Sequence, residues 1–219
     1  MNNALYLAIV SLLISFIVTF AATPFVMRYA KKAGHVGGTC NNPGMQPVPE
    51  LGGIAIAAGV ITAMLFAVAA NSFGLLRAIF GGDLDVVYLL AGLCVILMVE
   101  LVGFVDDVLG LRHLYKLLLP LAIALPLMAV RVSELHSFAI PILGIAVTPL
   151  IYEMLLIPLG VAAATNLTNT FAGFNGIEAG MGLIAAAFLF VISLIAGNGY
   201  ATVLSAILFG SLLAFLRYN

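Results

Sequence analysis

The sequence predicts an all-α polytopic membrane protein of about seven transmembrane helices, with its N-terminus outside. Three observations carry this. Of 219 residues, 64% are hydrophobic and only 8% are charged, and the mean hydropathy is +1.24. A soluble domain carries roughly 25% charged residues, so this chain could not clothe a water-facing surface. The apolar residues also gather in stretches near the ~20 residues of helix that cross a hydrocarbon core. Finally, the few basic residues are placed asymmetrically along the chain. Composition excludes a soluble enzyme, a disulfide scaffold, a disordered tail and a nucleic-acid binder, since a net charge of -1 and a pI near 6.2 leave no basic footprint for a polyanion. Cys40 and Cys94 are two scattered thiols and define neither a disulfide framework nor a compartment.

Each span has its own reason. Residues 4–27 lack a basic n-region and a small-residue cleavage site, so they read as a permanent span rather than a signal peptide. Residues 53–70 and 86–105 are the second and third spans. The fourth, 114–130, and the fifth, 150–165, are short and carry Pro120 and Pro126, and Pro158, respectively. Residues 177–196 and 201–216 complete the set. Between spans, residues 71–85 read as a short polar connection. Residues 137–147 are apolar and β-prone around Leu143-Gly144, and read as a small outer hairpin. Neither a repeat of fixed period nor a low-complexity tract is present.

Arg28, Lys31, Lys32, Arg112, Lys116 and Arg217 fall after spans 1, 3 and 7, on one side; Arg77 and Arg131 fall on the other. The positive-inside rule assigns the first group to the cytosol. The segments after spans 1, 3, 5 and 7 then face the cytosol, and they hold most of the polar groups. The first, residues 31–53, is long and rich in glycine and proline, hence a loop rather than a helix. The second is GFVDDVLGLRHLYK, residues 103–116. The third is TNLTNTFAGFNGIEAG, residues 165–180.

Asp106 and Asp107 are adjacent carboxylates at the end of span 3, where ionisable groups are costly and tend to be functional. Arg112 and Lys116 follow, and acids followed by bases at a membrane face suit a divalent metal and phosphate. The plain alternative is an interfacial charge cluster that only pins the helix end. In the third segment Asn166, Asn169 and Asn175 offer amide oxygens and nitrogens within ten positions, and Glu178 adds a carboxylate where span 6 begins. Asparagine ligates hard cations through its amide oxygen and reads a base edge with its paired donor and acceptor. The alternative is capping and loop chemistry, which accounts more easily for one asparagine than for three. Glu100 shares a helix face with Asp107, with snorkelling or a satisfied buried hydrogen bond as the bland alternative. Glu153 reads as interfacial. His35, His113 and His136 lack metal-ligand spacing, and His113 alone lies beside the basic cluster.

GFVDDVLGLRHLYK followed by NTFAGFNGIEAG, together with VPELGG at residues 48–53, resembles the polyprenyl-phosphate N-acetylhexosamine-1-phosphate transferases, glycosyltransferases of the family 4 type. These include the bacterial phospho-N-acetylmuramoyl-pentapeptide transferase and the archaeal and eukaryotic dolichyl-phosphate N-acetylglucosamine-1-phosphate transferases. The stretch AGFNGIEAG at residues 172–180, with Pro49-Glu50, looks like the archaeal and eukaryotic form rather than the DGxDG form of the peptidoglycan enzymes.

The resemblance implies transfer of GlcNAc-1-phosphate from a UDP-N-acetylhexosamine to a polyprenyl (dolichyl) phosphate, with release of UMP and with Mg²⁺ as cofactor. It implies Asn169 as a Mg²⁺ ligand, Asn175 at the uracil, Lys116 on the diphosphate, and Asp106 and Asp107 beside the transferring phosphate. Which of the two acids orients or deprotonates the lipid phosphate stays open. Glu50 would lie near the lipid-phosphate entry, with Asn166 and Glu178 supporting the loop. The lipid bilayer is a partner, a homodimer is a further expected one, and nucleic acid is not. The membrane is the cell membrane for an archaeal-type protein and the ER membrane for a eukaryotic one. Residues 1–219 are expected to form one transmembrane domain, the N-terminal two-thirds of a longer fold. Alone they are expected to be inactive, because the resemblance implies a metal-holding aspartate in a later cytosolic loop. Rival readings are a bacterial-type undecaprenyl-phosphate transferase and, from another class, a transporter or channel fragment using Glu100, Asp106 and Asp107 as coupling groups. The transporter reading predicts acids near the midplane and half-helix repeats, whereas these acids cluster at one face. A structural membrane subunit, a third reading, leaves the three polar segments on one side unexplained.

Overall fold

A computed structural model describes residues 2–37, 48–49, 51–80, 84–130, 138–140, 145–170 and 176–219. The chain runs α1 (Asn2–Ala33), a ribbon of β1 (Val36–Gly37) and β2 (Val48–Pro49), α2 (Gly52–Ser72), α3 (Gly74–Phe80), α4 (Val86–Leu109), α5 (His113–Ile123) and α6 (Leu125–Ala129). A second ribbon, β3 (Phe138–Ile140) and β4 (Ile145–Val147), leads to the short α7 (Pro149–Ile151) and a π-helical turn (Tyr152–Leu156). Then come α8 (Ile157–Thr170), α9 (Ile177–Ile195) and α10 (Gly199–Leu216). Among the described residues six helical runs are long and apolar enough to cross a bilayer: α1, α2, α4, the run Pro149–Thr168, α9 and α10. The chain is an all-α integral membrane protein.

Several expectations need correction. The fourth predicted span is not one helix: α5 ends at Ile123, Ala124 forms a turn, and α6 continues only to Ala129. Pro120 and Pro126 each lack an N–H, so the helical ladder is weakened on both sides of that turn. Residues 71–85 are more than a polar connection, because Asn71 and Ser72 finish α2 and α3 follows at once. Residues 165–170 belong to α8 rather than to a loop. The strand pairing expected within residues 137–147 is present, with Phe138 opposite Val147 and Ile140 opposite Ile145.

Two compact units are described separately. The first holds the described residues up to Leu93 and from Gly176 onward. In it α10 packs on α1, α2 and α9, and α1 packs on α2. The face of α1 turned inward is Ser11, Ser15, Thr19 and Thr23, all buried. Small hydroxyl residues four apart form one helical stripe and let backbones approach, as in membrane helix pairs generally. Thr19 Oγ1 and Ser211 Oγ share a hydrogen bond of 3.0 Å, and Ser211 Oγ also donates to the Ile56 carbonyl at 3.2 Å. These bonds tie α1, α2 and α10 together. Gly210 makes the contact close: a Cβ there would strike the Leu12 carbonyl oxygen and lie 2.6 Å from Ser15 Oγ. At one end of this unit Asp85 N–H donates to Tyr200 Oη at 2.6 Å, fixing the start of α4 against α10.

The second unit comprises residues 94–170, in which α8 packs against α5 and α6. Its π turn has a local cause. Pro158 cannot donate to the carbonyl four residues earlier, and the preceding Ile157 N–H reaches back five residues to Tyr152.

Candidate functional site

The end of α4 breaks an electrostatic rule. Carboxylates in the last turn of a helix face its partial negative charge, and cations are preferred there. Yet Asp106 and Asp107 occupy that turn, and no basic residue shares it. The compensation comes from the next element. Gly110, at φ 63°, reverses the chain, and its N–H donates to the Asp106 carbonyl at 2.8 Å. A left-handed residue just past the helix is the usual glycine stop. Leu111 N–H then donates to Asp106 Oδ1 at 2.9 Å. One turn into α5, Lys116 Nζ meets Asp106 Oδ2 at 2.7 Å.

The pair is partly sheltered, with side-chain exposure of 27% for Lys116 and 19% for Asp106. Asp107, one residue on and about 100° around the helix, is exposed. Glu100, two turns earlier on the same helix, is half-buried. Arg112 and His113, at the start of α5, are exposed. One turn of chain thus presents two carboxylates, an ammonium, a guanidinium and an imidazole.

Asn166 lies near the end of α8, the helix that packs on α5, and its Nδ2 donates to the Ala162 carbonyl at 2.8 Å. Thr165 and Thr168 bond their own helix in the same way. Asn169 sits in the last turn of α8, its side chain outside the described residues. Glu178 is exposed in the first turn of α9, in the other unit. Glu50 and Asn175 lie outside the described residues. The structure therefore brings Asp106, Asp107 and Lys116 together and sets Asn166 on the neighbouring helix.

Among the described residues no cluster of three His, Cys, Asp or Glu side chains is arranged to hold a metal. The donors present, carboxylate oxygens, are of the hard kind that Mg²⁺ takes. That ion keeps several waters and is held by one or two carboxylates together with substrate phosphates. Sequence reasoning missed the roles of Gly110 and Leu111. The glycine three residues after Asp107 was the available signal.

The family profile for Glycosyl transferase family 4 matches residues 88–219. The chain belongs to that family. Two relatives, from Saccharolobus solfataricus and Sulfolobus acidocaldarius, are provisionally named UDP-N-acetylglucosamine–dolichyl-phosphate N-acetylglucosaminephosphotransferase. They are 33% and 31% identical over 213 residues, covering 95% and 96% of this chain and 62% of each relative. A Dictyostelium discoideum protein of the same name is 35% identical over 116 residues, covering 48% of this chain and 28% of that protein. The chain thus spans less than two-thirds of the length of the archaeal relatives it matches.

Proposed function

We propose that the protein takes part in transfer of GlcNAc-1-phosphate from UDP-GlcNAc to dolichyl phosphate at the cytosolic face of the membrane, releasing UMP. The observation that carries this is the α4–α5 turn, where an aspartate-held lysine stands beside an exposed aspartate. Membership of the family and the names of the archaeal relatives support the substrates. An oxygen of the lipid phosphate forms a bond to the phosphorus next to the sugar. The bond from that phosphorus to the bridging oxygen breaks, and its electron pair leaves with UMP. Both reactants are anions, so positioning and charge neutralisation dominate.

Lys116 binds the diphosphate, Asp106 and Asp107 stand at the reacting phosphates, and Arg112 adds positive charge at the rim. Asn175 reads the uracil, and Glu50 lies at the lipid-phosphate entry. Asn169 is the residue that would hold Mg²⁺, which when bound would offset diphosphate charge. Asn166 and Glu178 steady their helix ends.

The test uses radiolabelled UDP-GlcNAc and dolichyl phosphate with membranes from cells producing the full-length protein. The expected product is Mg²⁺-dependent, lipid-linked GlcNAc with one UMP released per transfer. Label entering no lipid, or undecaprenyl phosphate accepted in preference to dolichyl phosphate, would defeat this reading.

A further inference from the structure

We propose that the last turn of α10 is a buttress shared by both substrates: Phe215 is a positioning residue for the segment that carries Glu50, and Leu216 for the segment that carries Asn175. The inference rests on the transferase reading above and adds to it two residues that act through others.

Two rows of side chains on α10 carry it, with all their contacts inside the first compact unit. Ser211 and Phe215, four apart, form a row that faces α2. Ser211 Oγ donates to the Ile56 carbonyl at 3.2 Å. Four residues earlier on α2, a Cβ at Gly52 would stand 2.6 Å from Phe215 Cζ and 2.9 Å from Cε2. Leu212 and Leu216 form a second row, about 100° around the helix, which faces α9. A Cβ at Gly182 would stand 2.9 Å from Leu212 Cδ1, and one at Gly176 would stand 3.8 Å from Leu216 Cδ2. Residues at i and i+4 share a helical face, so each row runs antiparallel along its neighbour. The rows end at Gly52, the first residue of α2, and at Gly176, which opens α9.

Both glycines are roots of candidate site segments. Glu50 lies two residues before Gly52 in sequence, and Asn175 directly precedes Gly176. The Phe215 ring fills the place a Gly52 side chain would need, and so fixes how α2 begins; Leu51 beside it is buried. Gly176 turns the chain at φ 79°, and its carbonyl accepts from Gly180 N–H at 2.8 Å to start α9. Leu216 lies beside that turn. The Tyr218 ring stands 5.2 Å from that of Phe20, which holds the end of α10 on α1. One helical turn thus supports the roots of both segments. A misplacement of about 1 Å passed from a root to a bound substrate can cost on the order of 100-fold in rate.

The experiment measures transfer by the full-length protein in membranes, varying each substrate separately. Leu216→Ala is expected to raise KM for UDP-GlcNAc about tenfold and to leave KM for dolichyl phosphate within about threefold. Gly52→Ala should do the reverse, because its methyl group overpacks against the Phe215 ring. Phe215→Leu removes the ring tip. Combined with Gly52→Ala, it should therefore return KM for dolichyl phosphate to within about threefold of the unaltered protein. Val203→Ala trims a fully buried side chain toward the other end of α10. It should lower Tm and move neither KM by more than about threefold.

Thermal unfolding reads the packing without turnover. The Tm loss of Gly52→Ala should be partly recovered when Phe215→Leu is added. The proposal is overturned if the double variant has a higher KM for dolichyl phosphate than Gly52→Ala alone. It is also overturned if Leu216→Ala raises both KM values alike, or if Val203→Ala copies the Leu216→Ala signature. Those outcomes leave the transferase reading standing. Absence of any transfer by the unaltered protein, with the Tm recovery intact, would instead defeat that reading and reduce the α10 turn to packing alone.

Discussion

Asp106 occupies a place that helix electrostatics disfavour by about 0.3–1 kcal/mol, and three bonds hold it there. The turn depends on Gly110, whose φ of 63° an L side chain resists at roughly 1–2 kcal/mol. Gly110→Ala should therefore lower Tm by several degrees. It should also weaken UDP-GlcNAc binding, because Leu111 and Lys116 are both positioned through it; calorimetry and nucleotide titration check the two effects. Asn169→Ala is expected to cut Mg²⁺-dependent turnover strongly, while Asn175→Ala mainly raises KM for the UDP-sugar. Equal, small effects in a metal titration would count against both roles. The site was legible in sequence as a set of residue types on one face. The nine-residue step from Asp107 to Lys116 said nothing of which acid the ammonium reaches, because that depends on a reversal set by one glycine. Asn166 shows the converse: its Nδ2 is engaged by the carbonyl one turn back in its own helix, a bond no spacing predicts.

The hydroxyl stripe of α1 packs by shape more than by bond strength. An interhelical hydrogen bond inside a membrane protein averages about 0.6 kcal/mol, because the separated helices also find partners. Ser211→Ala should accordingly be mild. Gly210→Val, which drives a side chain into the Leu12 carbonyl and Ser15, should lose about 1–3 kcal/mol as overpacking. Thermal unfolding in one detergent compares the two, and a larger loss for Ser211→Ala would reverse the ranking. Span positions were legible because length and hydropathy decide them. The break at Ala124 was visible only as two prolines in a short stretch. The π turn before Pro158 was not visible at all, since a proline on a helix can be met by a kink, a break or a wider turn, and packing chooses among them.

Orientation belongs to the whole chain. Six of eight lysines and arginines follow spans 1, 3 and 7, which predicts that cysteines introduced on a cysteine-free background at Asp107 and at Asn175 label from the same, cytosolic, side. A cysteine at Ser137, beside the outer ribbon, should label from the opposite side. Labelling of positions 107 and 175 from opposite sides would overturn the topology. Sequence was informative here because the bilayer imposes one-dimensional rules on a chain. It was silent on how the chain divides into the two compact units, which depends on small residues meeting across helices far apart in sequence, as Thr19 and Ser211 do.

The two rungs that pair Val36 with Pro49 and Gly37 with Val48 have a consequence for variation and engineering. They bring the chain leaving α1 back beside the chain entering α2, so Gly37 and Val48, with ten residues of sequence between them, are neighbours in space. Doubling the length of a segment closed in this way adds only about 0.6 kcal/mol of closure entropy. An epitope tag or a small inserted domain between residues 38 and 47 could therefore be carried without pulling α1 and α2 apart.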